Sequence, residues 1–78
     1  MKDLGKTIAK YRKEHKLNQS QLAKELENYD IYVKQNSIST WELGTATPNA
    51  RQFLVLCEIL EIYKLASIKY YDELPTTG

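Results

Sequence analysis

Neutral hydrogen-bonding side chains are concentrated in one short segment of the chain. Residues 35–40 are Gln-Asn-Ser-Ile-Ser-Thr, and Ile38 with Trp41 provides the apolar i and i+3 positions of a short helix. With these two residues turned inward, the side chains left facing outward are those of Gln35, Asn36, Ser39 and Thr40. Amide side chains pair bidentately with adenine, and hydroxyl groups bond several base edges in the major groove of DNA. This flank therefore predicts direct contacts with DNA bases.

The same run of amides and hydroxyls is also typical of a plain polar helix surface or a helix cap. Its neighbours favour contact with DNA. A second short helix is predicted at residues 19–27, with Asn18 as its N-cap. Gly44 is placed to end the helix predicted at residues 35–43, because glycine adopts the left-handed conformation easily. Two short helices this close in sequence suit a pair in which one lies on the DNA backbone and the other in the major groove.

Contacts with DNA phosphates are predicted around this pair of helices. Gln19 lies in the first turn of its helix, where free backbone N–H groups and a side-chain amide both offer donors to a phosphate. Asn49 is the expected N-cap of the helix at residues 49–60, and Arg51 lies in the first turn of that helix. The predicted phosphate contacts are Gln19, Lys34, Thr45, Asn49 and Arg51. The alternative interpretations are that Gln19 is an ordinary residue at the start of a helix and that the cations merely face solvent.

Arg12 and Glu42 suggest a structural ion pair. Arg12 follows the inward-facing Tyr11, and Glu42 follows the inward-facing Trp41. A guanidinium group at this position would join the first helix to the end of the third and fix the angle of the third helix. Removing one partner of such a partly buried pair costs more than the pair contributes in net stability. The alternative is two unrelated surface charges.

The apolar periodicity predicts an all-α fold of five helices with no convincing strand. The helices are expected at residues 3–15, 19–27, 35–43, 49–60 and 63–72. The clearest apolar stripe belongs to the fourth helix and comprises Phe53, Leu56, Cys57 and Leu60. Residues 1–72 are expected to form one domain, and residues 73–78 a C-terminal tail. The connector at residues 28–34 is unusually apolar, and both a loop folded on the core and a helix extension fit it.

Charge is unevenly distributed along the 78 residues, although the formal net charge is only +1. Residues 1–24 carry a balance of +5 and residues 25–78 a balance of −4. Such asymmetry suits a protein with one side that faces phosphates. Lysines that merely form a solvent-exposed face of the first helix would give the same charge balance.

The sequence offers no set of residues for catalysis or metal binding. It contains no paired carboxylates, glycine-rich phosphate loop or Ser/His/Asp set, so no enzyme and no cofactor are predicted. His15 has no nearby carboxylate or cysteine at metal spacing, and Cys57 is expected to pack as a small apolar residue. The single cysteine favours a reducing cytoplasmic setting. No transmembrane run and no signal-peptide core are found, which predicts no membrane partner.

These positions resemble the Cro/cI-type (XRE-like) helix-turn-helix family over about residues 3–68. The matching positions are Leu4, Ile8, Arg12, Leu17, Gln19, Leu22, Ala23, Ile38, Glu42, Gly44, Pro48, Phe53, Leu56, Leu60 and Ile62. The resemblance implies a compact five-helix domain of the lambda-repressor-like type, a double-stranded DNA operator as ligand, and a homodimer on a near-palindromic site. By position, the family's base contacts fall on the four outward residues of segment 35–40. Its phosphate contacts fall on Gln19 and residues 44–51, and its buried ion pair on Arg12 with Glu42.

The turn between the second and third helices is longer than is usual in that family. Long-turn members are similar to the DNA-binding half of prophage repressors that carry a LexA-like self-cleaving peptidase. The resemblance thus implies either an isolated short regulator or a domain whose C-terminal effector domain lies outside this chain. The leading hypothesis is a sequence-specific transcriptional repressor of the prophage or stress type. The alternative is a protein-interaction module, such as an antitoxin or adaptor, that uses residues 29–33 and the fifth helix as an apolar surface.

Overall fold

The computed structural model describes residues 4–62, which form four α-helices and no strand. The helices are α1 (Leu4–Glu14), α2 (Gln19–Glu27), α3 (Gln35–Leu43) and α4 (Ala50–Leu60). The all-α class is confirmed. The fifth helix expected at residues 63–72 and the tail at residues 73–78 lie outside the described residues.

One apolar core holds the four helices together. Each helix contributes to the fully buried side chains, which are those of Ile8, Leu22, Leu26, Ile38, Leu56 and Leu60. Trp41 of α3 is also buried, whereas Phe53 of α4 is only half-buried and lies outside the core cluster. The apolar face of α4 is thus rotated toward Val55 and Ile59, which pack against the core. Both α1 and α2 contact α3, so the core supports α3 from one side.

Two asparagines start helices by the same mechanism. The Asn18 side chain accepts a hydrogen bond from the Gln21 backbone N–H at 2.7 Å, and the Gln21 side chain accepts one from the Asn18 N–H at 2.8 Å. Asn49 and Gln52 repeat this reciprocal arrangement at the start of α4. A capping box satisfies two backbone donors that the helix itself leaves unpaired. The predicted N-caps Asn18 and Asn49 are therefore confirmed.

Residues in the left-handed conformation, with positive φ, follow α1, end the turn after α2 and cap the end of α3. These residues are Lys16 (φ 59°), Asp30 (φ 60°) and Gly44 (φ 84°). After Lys16, the Leu17 N–H donates to the Arg12 carbonyl at 3.1 Å, which is the six-to-one bond of a Schellman motif. Equivalent bonds follow Asp30 and Gly44. Each motif reverses the chain within one or two residues, which explains how such short helices pack so closely.

The connector between α2 and α3 is a turn that folds back on the core. Hydrogen bonds from the N–H groups of residues 28–30 continue α2 for one further turn, and the chain is extended from Ile31 onward. Side chains then alternate along this stretch. Ile31 is buried and Val33 packs against the core, whereas Tyr32 is 74% exposed. The sequence predicted either a loop folded on the core or a helix extension for this connector. From Ile31 onward, the connector is a loop folded on the core.

His15 has a carboxylate partner that the sequence analysis missed. Its Nε2 lies 3.2 Å from Oε2 of Glu61, and its Nδ1 lies 2.9 Å from the Tyr11 carbonyl oxygen. The hydrogen bond to the Tyr11 carbonyl, followed by the one to Glu61, raises the pKa of His15 above its usual value. The expectation that His15 lacks a nearby carboxylate is wrong, because 46 residues of chain separate two groups that the fold brings together.

A pH-dependent contribution to stability follows from this contact. Because the folded-state pKa of His15 is raised, its contribution is complete below the unfolded pKa of about 6.5 and is lost as pH rises through the folded value. We expect the difference in unfolding free energy between wild type and His15→Gln to shrink from about pH 5.5 to about pH 8. Urea denaturation across this range measures it, with Lys13→Gln as an exposed control. A difference that stays constant or grows with pH contradicts the assignment.

Candidate nucleic-acid interface

The outward flank of α3 lies opposite the side that the core holds. Ile38 and Trp41 are buried, whereas Gln35 and Asn36 are exposed. Ser39 and Thr40 are half-buried. The proposed base-contact residues thus divide into two exposed side chains at the start of the helix and two half-buried ones in its middle. Residues near the start of a recognition helix are those that usually contact base edges.

The hydroxyl group of Thr40 is already used within the helix. Its Oγ1 donates to the Ser37 carbonyl at 2.7 Å. The carbonyl of Thr40 also accepts from the Gly44 N–H and the Thr45 N–H, and Oγ1 of Thr45 donates to it at 3.3 Å. Thr40 therefore offers its methyl group and a remaining acceptor to a ligand, rather than a free donor.

Arg12 and Glu42 form a bidentate ion pair. Nε of Arg12 lies 2.6 Å from Oε2 of Glu42, and Nη2 of Arg12 donates to Oε1 at 3.1 Å. The side chains are only 11% and 9% exposed, and Nη1 of Arg12 also donates to the Leu17 carbonyl at 2.8 Å. Such paired N–H···O contacts fix geometry as well as charge. The pair thus ties α1 and the α1–α2 turn to the end of α3.

A chain of amide hydrogen bonds leads from this ion pair to the surface of α3. Nε2 of Gln19 donates to Oε1 of Glu42 at 2.9 Å, and Nε2 of Gln35 donates to Oε1 of Gln19 at 3.1 Å. Oγ of Ser20 completes the chain with a bond to Oε1 of Gln35 at 3.4 Å. Gln35 is thereby oriented by α2 before any ligand arrives. The sequence shows that these amide side chains are present, but it does not show that they form hydrogen bonds with one another.

The side chains proposed for phosphate contact differ in how free they are. Nη2 of Arg51 donates to the Tyr29 carbonyl at 2.9 Å, which ties α4 to the connector. The Asn49 side chain caps α4, and the Gln19 amide belongs to the chain of hydrogen bonds just described. Lys34 is exposed at the N-cap of α3 and makes no capping bond there. The capping role of Asn49 was predicted, whereas sequence reasoning missed the internal partners of Arg51 and Gln19.

Gly5 allows the closest approach between α1 and α3. A Cβ atom at Gly5 would lie 2.5 Å from the backbone oxygen atoms of both Trp41 and Glu42. No side chain fits at that distance, so α1 crosses the last turn of α3 at a position that requires glycine. The sequence signal was a glycine inside the first turn of a predicted helix, where alanine has the higher propensity.

The outward flank of α3 carries almost no net charge of its own. Between residues 34 and 49 the charged residues are Lys34 and Glu42, and Glu42 is neutralised by Arg12. An acidic group on this flank would repel DNA phosphates. The flank is instead neutral and rich in hydrogen-bonding groups, with one cation at its start.

Other kinds of site receive no support within residues 4–62. No group of three or more His, Cys, Asp or Glu side chains there is arranged to hold a metal ion. Cys57 is buried, and burial raises the pKa of its thiol, which disfavours the reactive thiolate. No helix in this part of the chain combines the length and apolar character needed to cross a membrane.

Comparison with known proteins identifies the family. A family model described as a helix-turn-helix domain matches residues 5–73, which include α2 and α3 in full. No curated protein and no solved structure shows significant similarity to the chain. Helix-turn-helix domains bind DNA, with the second helix of the motif in the major groove. The chain belongs to the family of helix-turn-helix domains.

Proposed function

We propose that this domain binds double-stranded DNA in a sequence-specific manner, with α3 in the major groove and α2 across the backbone. The observation that carries the proposal is the exposure of Gln35 and Asn36 on a helix whose opposite side is held by the core and the ion pair. A helix fixed in this way presents its amides in one orientation, which lowers the entropy cost of binding.

Base contacts are assigned to Gln35, Asn36, Ser39 and Thr40. Asn36 is exposed, and its amide suits bidentate pairing with adenine. Gln35 meets the groove already oriented by Gln19. Thr40 contributes chiefly its methyl group, which suits contact with thymine, because its hydroxyl proton is used by the Ser37 carbonyl.

Phosphate contacts are assigned to Gln19, Lys34, Thr45, Asn49 and Arg51. Lys34 provides a point charge beside the first turn of α3. At the start of α2, the capping box leaves the backbone N–H groups of Gln19 and Ser20 to face a phosphate. Asn49 and Arg51 lie at the start of α4, where a second phosphate would be bound in the same way. Such contacts set register and supply most of the affinity that does not depend on sequence.

The biological role we propose is a cytoplasmic transcriptional repressor of the prophage or stress type. A homodimer on a near-palindromic operator would place two copies of α3 roughly 34 Å apart on one face of the duplex. A C-terminal effector domain beyond this chain is compatible with the role. Occupancy of an operator by such a dimer blocks transcription without any catalytic group.

A second candidate function is a protein-interaction module of the antitoxin or adaptor type. Tyr32 and Tyr29 favour it, since both are exposed on the connector. Salt dependence distinguishes the two functions. Binding driven by phosphates weakens steeply with added salt, whereas docking of apolar side chains does not.

Asn36→Ala is expected to relax sequence preference at one base pair by about 1–3 kcal/mol, since a bidentate amide contact is lost. Selection from random duplexes identifies the preferred site for the wild type. Competition gel shifts then compare that site with single-base variants. Asn28→Ala, at an exposed C-cap away from α3, is the matched control. Unchanged preference in Asn36→Ala would show that Asn36 does not contact a base.

Lys34→Gln is expected to weaken binding to all duplexes alike. One lost phosphate contact lowers the slope of log affinity against log salt concentration by about 0.9. Fluorescence anisotropy at several salt concentrations measures the slope, and the exposed Lys24→Gln on α2 is the control. A steep slope for the wild type supports DNA binding as such. A slope identical in Lys34→Gln and wild type would remove Lys34 from the interface.

A further inference from the structure

The last residue of α3 is an exposed leucine. Leu43 is 75% exposed, the most of any large apolar side chain among the described residues. Single exposed leucines are common on protein surfaces and need no special explanation. Leu43 differs in its surroundings, because it lies on the flank of α3 that otherwise carries only amide and hydroxyl groups.

Helical geometry places Leu43 in line with the proposed base contacts. Asn36, Ser39, Thr40 and Leu43 follow the spacing i, i+3, i+4, i+7, which defines one face of a helix. At 3.6 residues per turn, Leu43 lies only about 20° around the axis from Asn36. Ile38 and Trp41, the buried residues, lie on the other side. A duplex that lies along the full length of this face contacts Leu43 as well as Asn36.

The chemistry of leucine limits what it can contact in a groove. Its side chain neither donates nor accepts hydrogen bonds, so it gives no pairing with base amides, carbonyls or phosphates. The apolar group that bases present in the major groove is the C5 methyl of thymine. When leucine packs against that methyl group, apolar surface is removed from water and binding is stabilised. The same leucine against a polar base edge gives no such stabilisation.

We propose that Leu43 is a specificity-determining residue that contacts the C5 methyl group of a thymine in the bound duplex. The assignment rests on the proposed function and extends it to a base type and a position. Asn36 and Leu43 are separated by seven residues, or about 10.5 Å along the helix axis. The thymine therefore lies beyond the base that Asn36 contacts, toward the C-terminal end of α3.

The test removes the methyl group from the DNA and the leucine from the protein separately. The duplex is the preferred site selected by the wild type, and each thymine in turn is replaced by deoxyuridine, which lacks the methyl group. Affinity is measured for wild type, Leu43→Ala and Leu54→Ala. Leu54 is the matched control, because it is 66% exposed but lies on α4.

At one position, we expect deoxyuridine to weaken wild-type binding about fourfold, the effect of one buried methyl group. The same replacement should leave the affinity of Leu43→Ala unchanged and that of Leu54→Ala reduced as in the wild type. Equal losses in all three proteins at every thymine whose replacement weakens binding, or no loss at any thymine, overturn the proposal while leaving sequence-specific DNA binding intact. Failure of the wild type to select any duplex sequence overturns the proposed function and this proposal with it.

Discussion

Glu42→Ala is expected to lower the free energy of unfolding by about 3–5 kcal/mol. With Glu42 in place, the Arg12 side chain is only 11% exposed. The substitution leaves its Nε and Nη2 donors unpaired, and only the Leu17 carbonyl still accepts from it. Gln19 loses its acceptor too. Small domains are stabilised by roughly 5–15 kcal/mol in total, so this single change removes a large part of the stability.

Urea denaturation followed by circular dichroism measures the effect of Glu42→Ala. Glu25→Ala is the control, since an exposed acid on α2 should matter by no more than about 0.5 kcal/mol. A double variant, Arg12→Met/Glu42→Leu, separates pairing from burial. Because it leaves no unpaired charge, it should recover most of the lost stability. Similar losses for Glu42→Ala and Glu25→Ala would contradict a buried, paired Glu42.

The double variant also connects the ion pair with DNA recognition. Once Glu42 is absent, the Gln19 amide has no fixed anchor, and Gln35 loses the orientation that Gln19 provides. We therefore expect the folded double variant to bind DNA with less discrimination at the base that Gln35 contacts. The ion pair thus serves the proposed function by holding an amide in place rather than by touching DNA.

Local sequence patterns were sufficient for much of this fold. The bounds of α2 and α3 agree with those expected from apolar periodicity, and both capping asparagines lie where predicted. These features depend on neighbours within a few residues, which the sequence displays directly. Arg12 and Glu42 were paired from helical phase, because each follows a residue predicted to face inward, and from the family resemblance.

Other contacts between distant residues were not available from the sequence. The bond between His15 and Glu61 and the one between Arg51 and the Tyr29 carbonyl depend on how the helices cross. Phe53 shows the same difficulty, since its periodicity fits the core but α4 is rotated away from it. The orientation of Gln35 depends on a side-chain rotamer of Gln19. Periodicity specifies which face of a helix is apolar, but not how that face is oriented against its neighbours.

Gly5 is the clearest case in which local preference and packing make opposite predictions. In the first turn of a helix, alanine is favoured over glycine by up to about 1 kcal/mol, so propensity alone predicts that Gly5→Ala stabilises the domain. The added Cβ would lie 2.5 Å from the backbone oxygen atoms of Trp41 and Glu42, and neither oxygen is on a flexible side chain. Backbone must therefore move, and overpacking of this kind costs about 1–3 kcal/mol.

We accordingly expect Gly5→Ala to lower the free energy of unfolding by about 1–3 kcal/mol, opposite in sign to the propensity effect. Lys6→Ala, at the exposed neighbouring position, is the control and should leave stability within about 0.5 kcal/mol. DNA affinity should fall as well, since relief of the clash moves α1 away from the end of α3 that carries Glu42. Stabilisation by Gly5→Ala would mean that α1 does not cross α3 at this glycine.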